Sequence, residues 1–439
     1  MRLRLVLLLL SVFLGGCTSV VQTEVATPTE VSTPAPTTST STSSTVVVTT
    51  TTTVAAEVLF TLGGVITNGE IPLWDAMVRL NGELIYTDTS GLFSFGGAQP
   101  GLLTVERPGY LSVEVGYAGG DVSLALPLER RVVRAIRVSR YVAMNDDDFA
   151  RLLGLAEHST VNSFVFDTKD ESGTVLYETA VPEALALGFI NPMYDPVERL
   201  AQAKAAGLYT ITRVVSFEDG RWVNAQPEFK LAGSWVNPLN PEVWEYPLGL
   251  AVEACALGFD EIQFDYVRFP AGKTAAAARA KQPLTQAERI EAISSYLAEA
   301  VRRLHPMGCA VSADIFGIVV SAPDDQGLGQ RPEELSQVVD ALSPMLYPSH
   351  YSDGWLGFAD PNDHPGPVVA DALDDGIPRL VGDAAMRPWL QAFYYNGSQI
   401  LAQINEAEAR GVGWILWNAP GNYQESWLPP LPPDEDTDS

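Results

Sequence analysis

Basic residues are in short supply, with 27 lysines and arginines facing 54 aspartates and glutamates for a formal net charge of −27. That balance argues against nucleic acid or an anionic lipid surface as the main partner, since both bind proteins through clustered positive charge. Histidine and cysteine are scarcer still, at 4 and 3 residues. His158, His305, His350 and His364 are too scattered for a multi-histidine metal site, and there is no His-Glu-x-x-His, Cys-x-x-Cys or glycine-rich phosphate loop with its lysine. A serine nucleophile elbow in a strand–turn–helix setting is missing as well, which leaves serine-based hydrolysis without its motif. No cofactor is expected, although a divalent cation held by Asp167, Asp170 and Asp265 is an alternative that the carboxylates allow.

Long apolar runs are missing except at the N-terminus, where Arg2 and Arg4 precede the stretch from Leu5 to Leu14 and then Gly15-Gly16-Cys17. A run this short, closed by small residues, reads as an export signal rather than a membrane span. Leu14-Gly15-Gly16-Cys17 also resembles a bacterial lipobox, which implies that residues 1–17 are a lipoprotein signal and that Cys17 is lipidated. The expected location is therefore the bacterial cell surface or envelope, with the protein held to the membrane through Cys17. Residues 18–56 are dominated by Thr, Ser, Val and Pro, and Glu24 and Glu30 are their only charges. Such a segment cannot bury a core and is expected to be an exposed stalk with a coil dimension of roughly 35 Å. The Pro-rich acidic residues 429–439 are expected to be a disordered tail. Of the three cysteines, Cys255 and Cys309 fall in segments that look buried, and two free thiols are expected there rather than a bridge.

Roughly 370 residues remain between stalk and tail, too many for one compact core and enough for a small domain plus a barrel. Residues 57–130 are rich in short alternating runs separated by turn residues, as in Gly64-Val-Ile-Thr-Asn-Gly69 and Thr87-Asp-Thr-Ser-Gly-Leu-Phe-Ser-Phe95. Turn signals every eight to twelve residues or so predict a small all-β sandwich. The order of these pieces resembles the carboxypeptidase regulatory-like domain, which implies a spacer or adhesion module without catalysis.

Beyond Arg130 the pattern changes to strands separated by longer helical stretches. Strands are predicted near Val133–Ser139, Ser163–Asp167, Tyr209–Val215, Glu261–Asp265, Ala310–Asp314, Ala341–Tyr347, Trp389–Phe393 and Gly413–Trp417. Eight of them fit an α/β fold, a closed (β/α)8 TIM barrel over residues 131–428. The fourth is the most informative. Glu261, Gln263 and Asp265 share one face and Ile262, Phe264 and Tyr266 the other, because strand side chains alternate. A buried strand that turns polar groups inward suits a barrel whose inward strand ends build an active site; a buried ion pair of Asp265 with Arg268 is the plainer alternative.

Several long segments resemble, in order, the glycosyl hydrolase family of bacterial barrels long known as a domain of unknown function. They include Val165-Phe-Asp-Thr-Lys-Asp170, Gly258 to Pro270, Val311-Ser-Ala-Asp-Ile-Phe-Gly317, Ser343 to Tyr351, Arg387 to Gln391 and Gly413 to Asn418. The resemblance implies a barrel from about Arg134 to Tyr423 and, through fold kinship, action on O-glycosyl bonds.

Each segment falls at the C-terminal end of a predicted strand, where barrel enzymes carry their catalytic groups. Glycoside hydrolysis usually needs two carboxyl groups. Asp265 and Asp314 end neighbouring strands about 4.8 Å apart and are the expected catalytic pair. Asp167, Lys169 and Asp170 form the next cluster: Asp167 either binds sugar hydroxyls or tunes the pair, and a structural Asp167–Lys169 salt bridge is the other reading. Arg213 and Arg268 either hold the nucleophile ionised or serve as structural partners. Gln263, Tyr347, His350, Trp389, Gln391, Trp414, Trp417 and Asn418 are candidate sugar contacts, the aromatic rings by stacking and the polar groups by hydrogen bonding. Tyr351 joins the aromatic group, and Gln330 is a weaker candidate. The expected activity is cleavage of an extracellular or cell-envelope polysaccharide; a non-catalytic glycan-binding lipoprotein and a metal-dependent hydrolase are the alternatives. No oligomeric state is implied.

Overall fold

A computed structural model describes residues 59–432. The signal with Cys17, the stalk at 18–56 and residues 433–439 of the tail lie outside the described residues. Residues 429 and 430, expected to belong to a disordered tail, are instead tied to the barrel: the Pro429 carbonyl accepts a hydrogen bond from the Thr160 N–H at 2.9 Å and Pro430 pairs with Ser159.

Seven strands come first: β1 (Phe60–Thr67), β2 (Met77–Leu80), β3 (Glu83–Tyr86), β4 (Leu92–Ala98), β5 (Gly101–Glu106), β6 (Val113–Tyr117) and β7 (Val122–Pro127). They form a three-stranded sheet in the order β4-β1-β7 and a four-stranded sheet in the order β3-β2-β5-β6. Alternation puts Phe93 and Phe95 of β4 inside, where they meet Leu62 and Ile66 from β1 and Val78, Leu103 and Val105 from the other sheet. Asn81 and Gly82 join β2 to β3 with positive φ at both positions, the two-residue hairpin turn that Asn-Gly favours. This is the expected small all-β sandwich.

Eight parallel strands follow: β8 (Arg134–Arg137), β9 (Ser163–Lys169), β10 (Tyr209–Val215), β11 (Glu261–Asp265), β12 (Ala310–Phe316), β13 (Ala341–Leu346), β14 (Trp389–Gln391) and β15 (Trp414–Trp417). Each pairs with the next, and β15 pairs with β8, so the barrel closes. Period-two alternation divides the side chains. Ala135, Val165, Ile211, Trp389 and Ile415 pack inside the barrel, whereas Phe164, Phe166, Ile262, Phe264 and Leu416 face the surrounding helices. Two of those helices begin with a reciprocal cap, Thr285 with Glu288 ahead of Gln286–Leu304 and Asn396 with Gln399 ahead of Gly397–Ala409. Among the described residues no helix is long and apolar enough to cross a membrane.

Cys255 and Cys309 form a disulfide, contrary to the expectation of two free thiols. One ends the helix Glu245–Leu257 and the other enters β12, and packing of that helix on the barrel brings their Cα atoms to 6.0 Å across a separation of 54 residues. Sequence spacing alone does not reveal such a meeting.

The sandwich is tied to the N-terminal end of the barrel. Asp340 and Asp383, which precede β13 and β14, take up Arg107 of the sandwich at 3.6 and 3.0 Å. His305, just before β12, bridges Asp75 of the sandwich at 3.1 Å and Asp340 at 2.8 Å. The opposite end of the barrel, at the C-terminal ends of the strands, carries Asp265 and Asp314.

Candidate active site

A cavity of about 610 Å³ opens at the C-terminal ends of the barrel strands. Asp265 at the end of β11 and Asp314 near the end of β12 both line it. Their convergence follows from strand register: Gln263 pairs with Ser312, and each aspartate lies two residues further along its strand on the same inward face.

Arg213 of β10 organises this end. Its Nη2 lies 2.6 Å from Asp265 Oδ2, its Nη1 donates to Asp167 Oδ1 at 3.0 Å and to Glu171 at 3.3 Å, and its Nε sits 4.0 Å from Asp314 Oδ2. Burial opposes the Arg213 charge, but Asp265, Asp167 and Glu171 together outweigh it and hold the guanidinium well above its ordinary pKa. Asp167 is shared between Arg213 and Arg137, and both guanidinium groups rest on the Trp417 ring, at 5.3 and 4.3 Å.

The two catalytic candidates are treated differently. Asp265 is ion-paired with Arg213 and accepts the Tyr266 N–H at 2.6 Å. Asp314, 2% exposed, accepts the Trp389 indole N–H at 2.7 Å, and among the described residues it has no cation closer than Arg213 at 4.0 Å. Burial first, and then the charge of Asp265, push the Asp314 carboxyl well above the usual carboxylate range against the pull of Arg213 and Trp389. Tyr347 sits beside the pair, its phenol pushed up by burial and by the charges of Asp314 and Asp265. The arrangement can hold one carboxyl protonated and its neighbour ionised within a single cavity.

A family model described as "Putative glycosyl hydrolase domain" matches residues 135–423, more than half of the chain. The chain belongs to this glycosyl hydrolase family. No curated protein matches it. Among solved structures, a hypothetical protein from Ruminiclostridium thermocellum is 29% identical, covering 41% of this chain and 96% of its own with a TM-score of 0.35. The PgaB (BpsB) glycoside hydrolase domain from Bordetella bronchiseptica is 14% identical over 67% of this chain and 97% of its own, with a TM-score of 0.49. An alpha-galactosidase from Thermus thermophilus is 14% identical over 76% of this chain and 74% of its own, with a TM-score of 0.42.

The remaining candidates of this glycoside hydrolase divide between the cavity and the scaffold. Arg268, Tyr347, His350, Trp389 and Trp417 line the cavity, as does Tyr351. The suggested Asp265–Arg268 ion pair does not form, because Arg213 takes Asp265 instead. Lys169 is turned out of the barrel and pairs with Asp219 at 2.9 Å, not with Asp167. The cause is a bulge: Arg213 pairs with Asp167 but Val214 pairs with Lys169, so Thr168 is extra and the alternation slips by one. Asp170 holds Arg140 and caps its own turn through Ser172. Among the described residues no cluster of three or more His, Cys, Asp or Glu has a geometry for a metal ion, and Asp167, Asp170 and Asp265 are each engaged by an arginine.

Trp414 also faces outward and donates its indole N–H to Glu408 at 2.8 Å. Gln391 is spent on Ser349, Asn362 and the Phe393 carbonyl, and Asn418 on the Ala392 carbonyl and the N–H groups of Gly421 and Asn422. Both brace rim loops rather than face a sugar. Gln263 lies deeper in the barrel, bonded to Ser343 at 3.1 Å. Gln330 ties the Phe316 N–H to the Val267 and Asp314 carbonyls, so it fixes the two strand ends that carry the aspartates.

Three aromatic cavity residues are not among the sequence candidates: Tyr266, Phe316 and Trp355. Alternation places Tyr266 on the outer face, but its φ of 50° breaks the strand directly after Asp265 and brings its ring to the cavity. Such a conformation costs a non-glycine residue roughly 1–2 kcal/mol and occurs where surroundings impose it. Phe316 lies two residues beyond Asp314 on the same inward face of β12, and a Cβ at the following Gly317 would lie 2.6 Å from the Met345 carbonyl oxygen, so only glycine lets this turn approach β13. The Ala-Asp-Ile-Phe-Gly run carries that signal in hindsight.

Proposed function

We propose that this glycoside hydrolase cleaves an extracellular or cell-envelope polysaccharide with Asp314 as general acid and Asp265 as the ionised partner. The observation that carries this reading is the contrast between two carboxyl groups on adjacent strands: burial and the Asp265 charge raise Asp314, while Arg213 pairs with Asp265. Asp314 donates its proton to the glycosidic oxygen as the bond to the anomeric carbon breaks. Asp265 then either attacks that carbon or takes a proton from the attacking water. The cavity lies within the roughly 300–1,000 Å³ usual for small-molecule sites, and the half-buried rings of Tyr266, Tyr351 and Trp355 on its wall offer apolar surface for sugar.

The test is release of new reducing ends from a panel of bacterial envelope and extracellular polysaccharides, with and without a chelator. Chelator-insensitive turnover is expected. Turnover abolished by the chelator would point to a metal-dependent hydrolase, and saturable binding without turnover to a glycan-binding protein.

Export and a lipid anchor at Cys17 belong to the same proposal. The lipobox supports them, as does the Cys255–Cys309 disulfide, because disulfides persist in oxidising compartments. Cys17→Ser is expected to move the protein from the membrane fraction to the soluble exported fraction; unchanged membrane association would count against the anchor.

A further inference from the structure

Arg268 lines the same cavity as the aspartates and is 7% exposed, yet it makes no salt bridge with any described residue. Its one side-chain hydrogen bond runs from Nη1 to the Phe269 carbonyl at 3.1 Å. Phe316, Trp235 and Tyr266 surround the guanidinium carbon at 4.3, 4.5 and 5.3 Å from their ring centroids. Rings attract a cation through their faces but accept no hydrogen bonds in the plane of the guanidinium fork, so among the described residues Nε and Nη2 have no acceptor and stay open to the solvent of the cavity. Burial prevails over the more distant charges of Asp265 and Glu218 and lowers the Arg268 pKa, as expected for a cation short of a counter-ion. Arg213 is the opposite case, with its charge already taken by Asp265, Asp167 and Glu171.

We propose that Arg268 binds an oxyanion carried by the substrate, a carboxylate, sulfate or phosphate on a sugar, so that the polysaccharide cleaved is an anionic one. This rests on the reading of the cavity as a glycosidase site. A planar fork held between rings is preorganised for two parallel hydrogen bonds to such a group, and a desolvated setting strengthens them. The ion pair with Arg213 offsets the negative charge of Asp265, which would otherwise repel the ligand. The net charge of −27 opposes a polyanion at long range. Physiological salt screens that repulsion over about 8 Å, whereas Arg268 acts at contact.

Tryptophan fluorescence titrations of the full chain with glucuronate, glucose 6-sulfate, glucose 6-phosphate and glucose test this. At least one charged sugar is expected to bind roughly tenfold or more tightly than glucose, and the order among the three identifies the oxyanion. Arg268→Gln should abolish the preference and Arg268→Lys should keep part of it. Equal affinity for all four sugars in the wild type, absence of binding by any of them, or a preference that survives in Arg268→Gln overturns the proposal; the wild-type comparison decides even if the variants fail to fold. Full turnover by Arg268→Gln on a polysaccharide the wild type cleaves overturns the anion site and leaves the glycosidase reading intact. An Arg268-dependent preference in a protein that cleaves no polysaccharide does the reverse.

Discussion

Glu261 and Asp265 stand on the same strand, on the same inward face, and each meets an arginine, yet they belong to different chemistries. At the barrel floor Glu261 is gripped through both oxygens by Arg387 and also accepts from Ser312 and Tyr209. Both of its oxygens are engaged within the protein. At the mouth, Asp265 shares Arg213 with Asp167 and Glu171, while Asp314 across from it has no close cation and Arg268 no close anion. A buried charge left incompletely matched is expensive, so its persistence beside a cavity is a sign of function. The lesson is that the presence of an ion pair does not by itself separate scaffold from site: at the floor Glu261 and Arg387 each have a close counter-ion, whereas at the mouth Asp314 and Arg268 have none among the described residues.

The most severe way to break the comparison is at the mouth. Asp314→Asn and Asp265→Asn should each lower kcat by about 10²–10⁴ or more, because a lost acid or base costs that much and a lost nucleophile more. Stability should move the other way for Asp314→Asn. A carboxyl whose folded pKa lies above its unfolded value costs stability once pH exceeds the unfolded value, so the neutral amide should raise the denaturant midpoint near pH 7. An Asp314→Asn variant of normal kcat on a verified substrate would remove it from the pair.

At the floor the signs exchange. Glu261→Gln leaves Arg387 buried without its counter-charge and should destabilise the protein by about 3–5 kcal/mol, read as a lower urea midpoint. The kcat of the folded fraction should be unchanged. Joint replacement, Glu261→Leu with Arg387→Met, should recover much of that loss, since well-packed apolar residues often match a buried pair. A stable Glu261→Gln with impaired chemistry would mean that floor and mouth are not separate.

This contrast was partly legible before the structure. Period-two alternation put Glu261, Gln263 and Asp265 inside, and the eight predicted strands fall within a few residues of those found, because parallel barrel strands are apolar runs with clear flanks. The errors arose where a local departure broke the period. A bulge turned Lys169 outward and a positive φ turned Tyr266 to the cavity; Trp414 is a different case, outward by the period itself because its neighbour Ile415 faces inward. Gln391 and Asn418 sit at strand ends as expected, but their loop partners are distant in sequence, so nothing local shows that their hydrogen bonds are used up.

The sandwich-facing end extends the comparison to pH. His305 lies between Asp75 and Asp340; burial works against its charge, but Asp340 and Asp75 prevail and hold its pKa up at about 9, against about 6.5 when free. A raised histidine contributes stability that is fully present below about pH 6.5 and lost as pH rises through 9. The span corresponds to something on the order of 3 kcal/mol. The urea midpoint should fall across that window in the wild type and much less in His305→Gln. An equally steep fall in the variant would place the sensitivity elsewhere. The same contacts bear on whether the barrel folds alone from about Arg130, because removing the sandwich strips Asp75 and Arg107 from His305 and Asp340.

The smallest effect should come from Trp389, which touches Asp314 and no other carboxylate by hydrogen bond. Its indole N–H stabilises the ionised form of Asp314 and so lowers the acid's pKa against the larger push of burial and Asp265. A general acid works while protonated, and activity should therefore decline as pH rises through the Asp314 pKa. Trp389→Phe removes the donor but keeps an aromatic ring in the barrel interior. The alkaline limb of the kcat profile should then move up by about one pH unit, the scale set by one hydrogen bond to a charged group. If Trp389 serves only as packing, the variant loses stability with its pH profile in place. If it positions and tunes the acid, the limb moves even at temperatures where both proteins are fully folded.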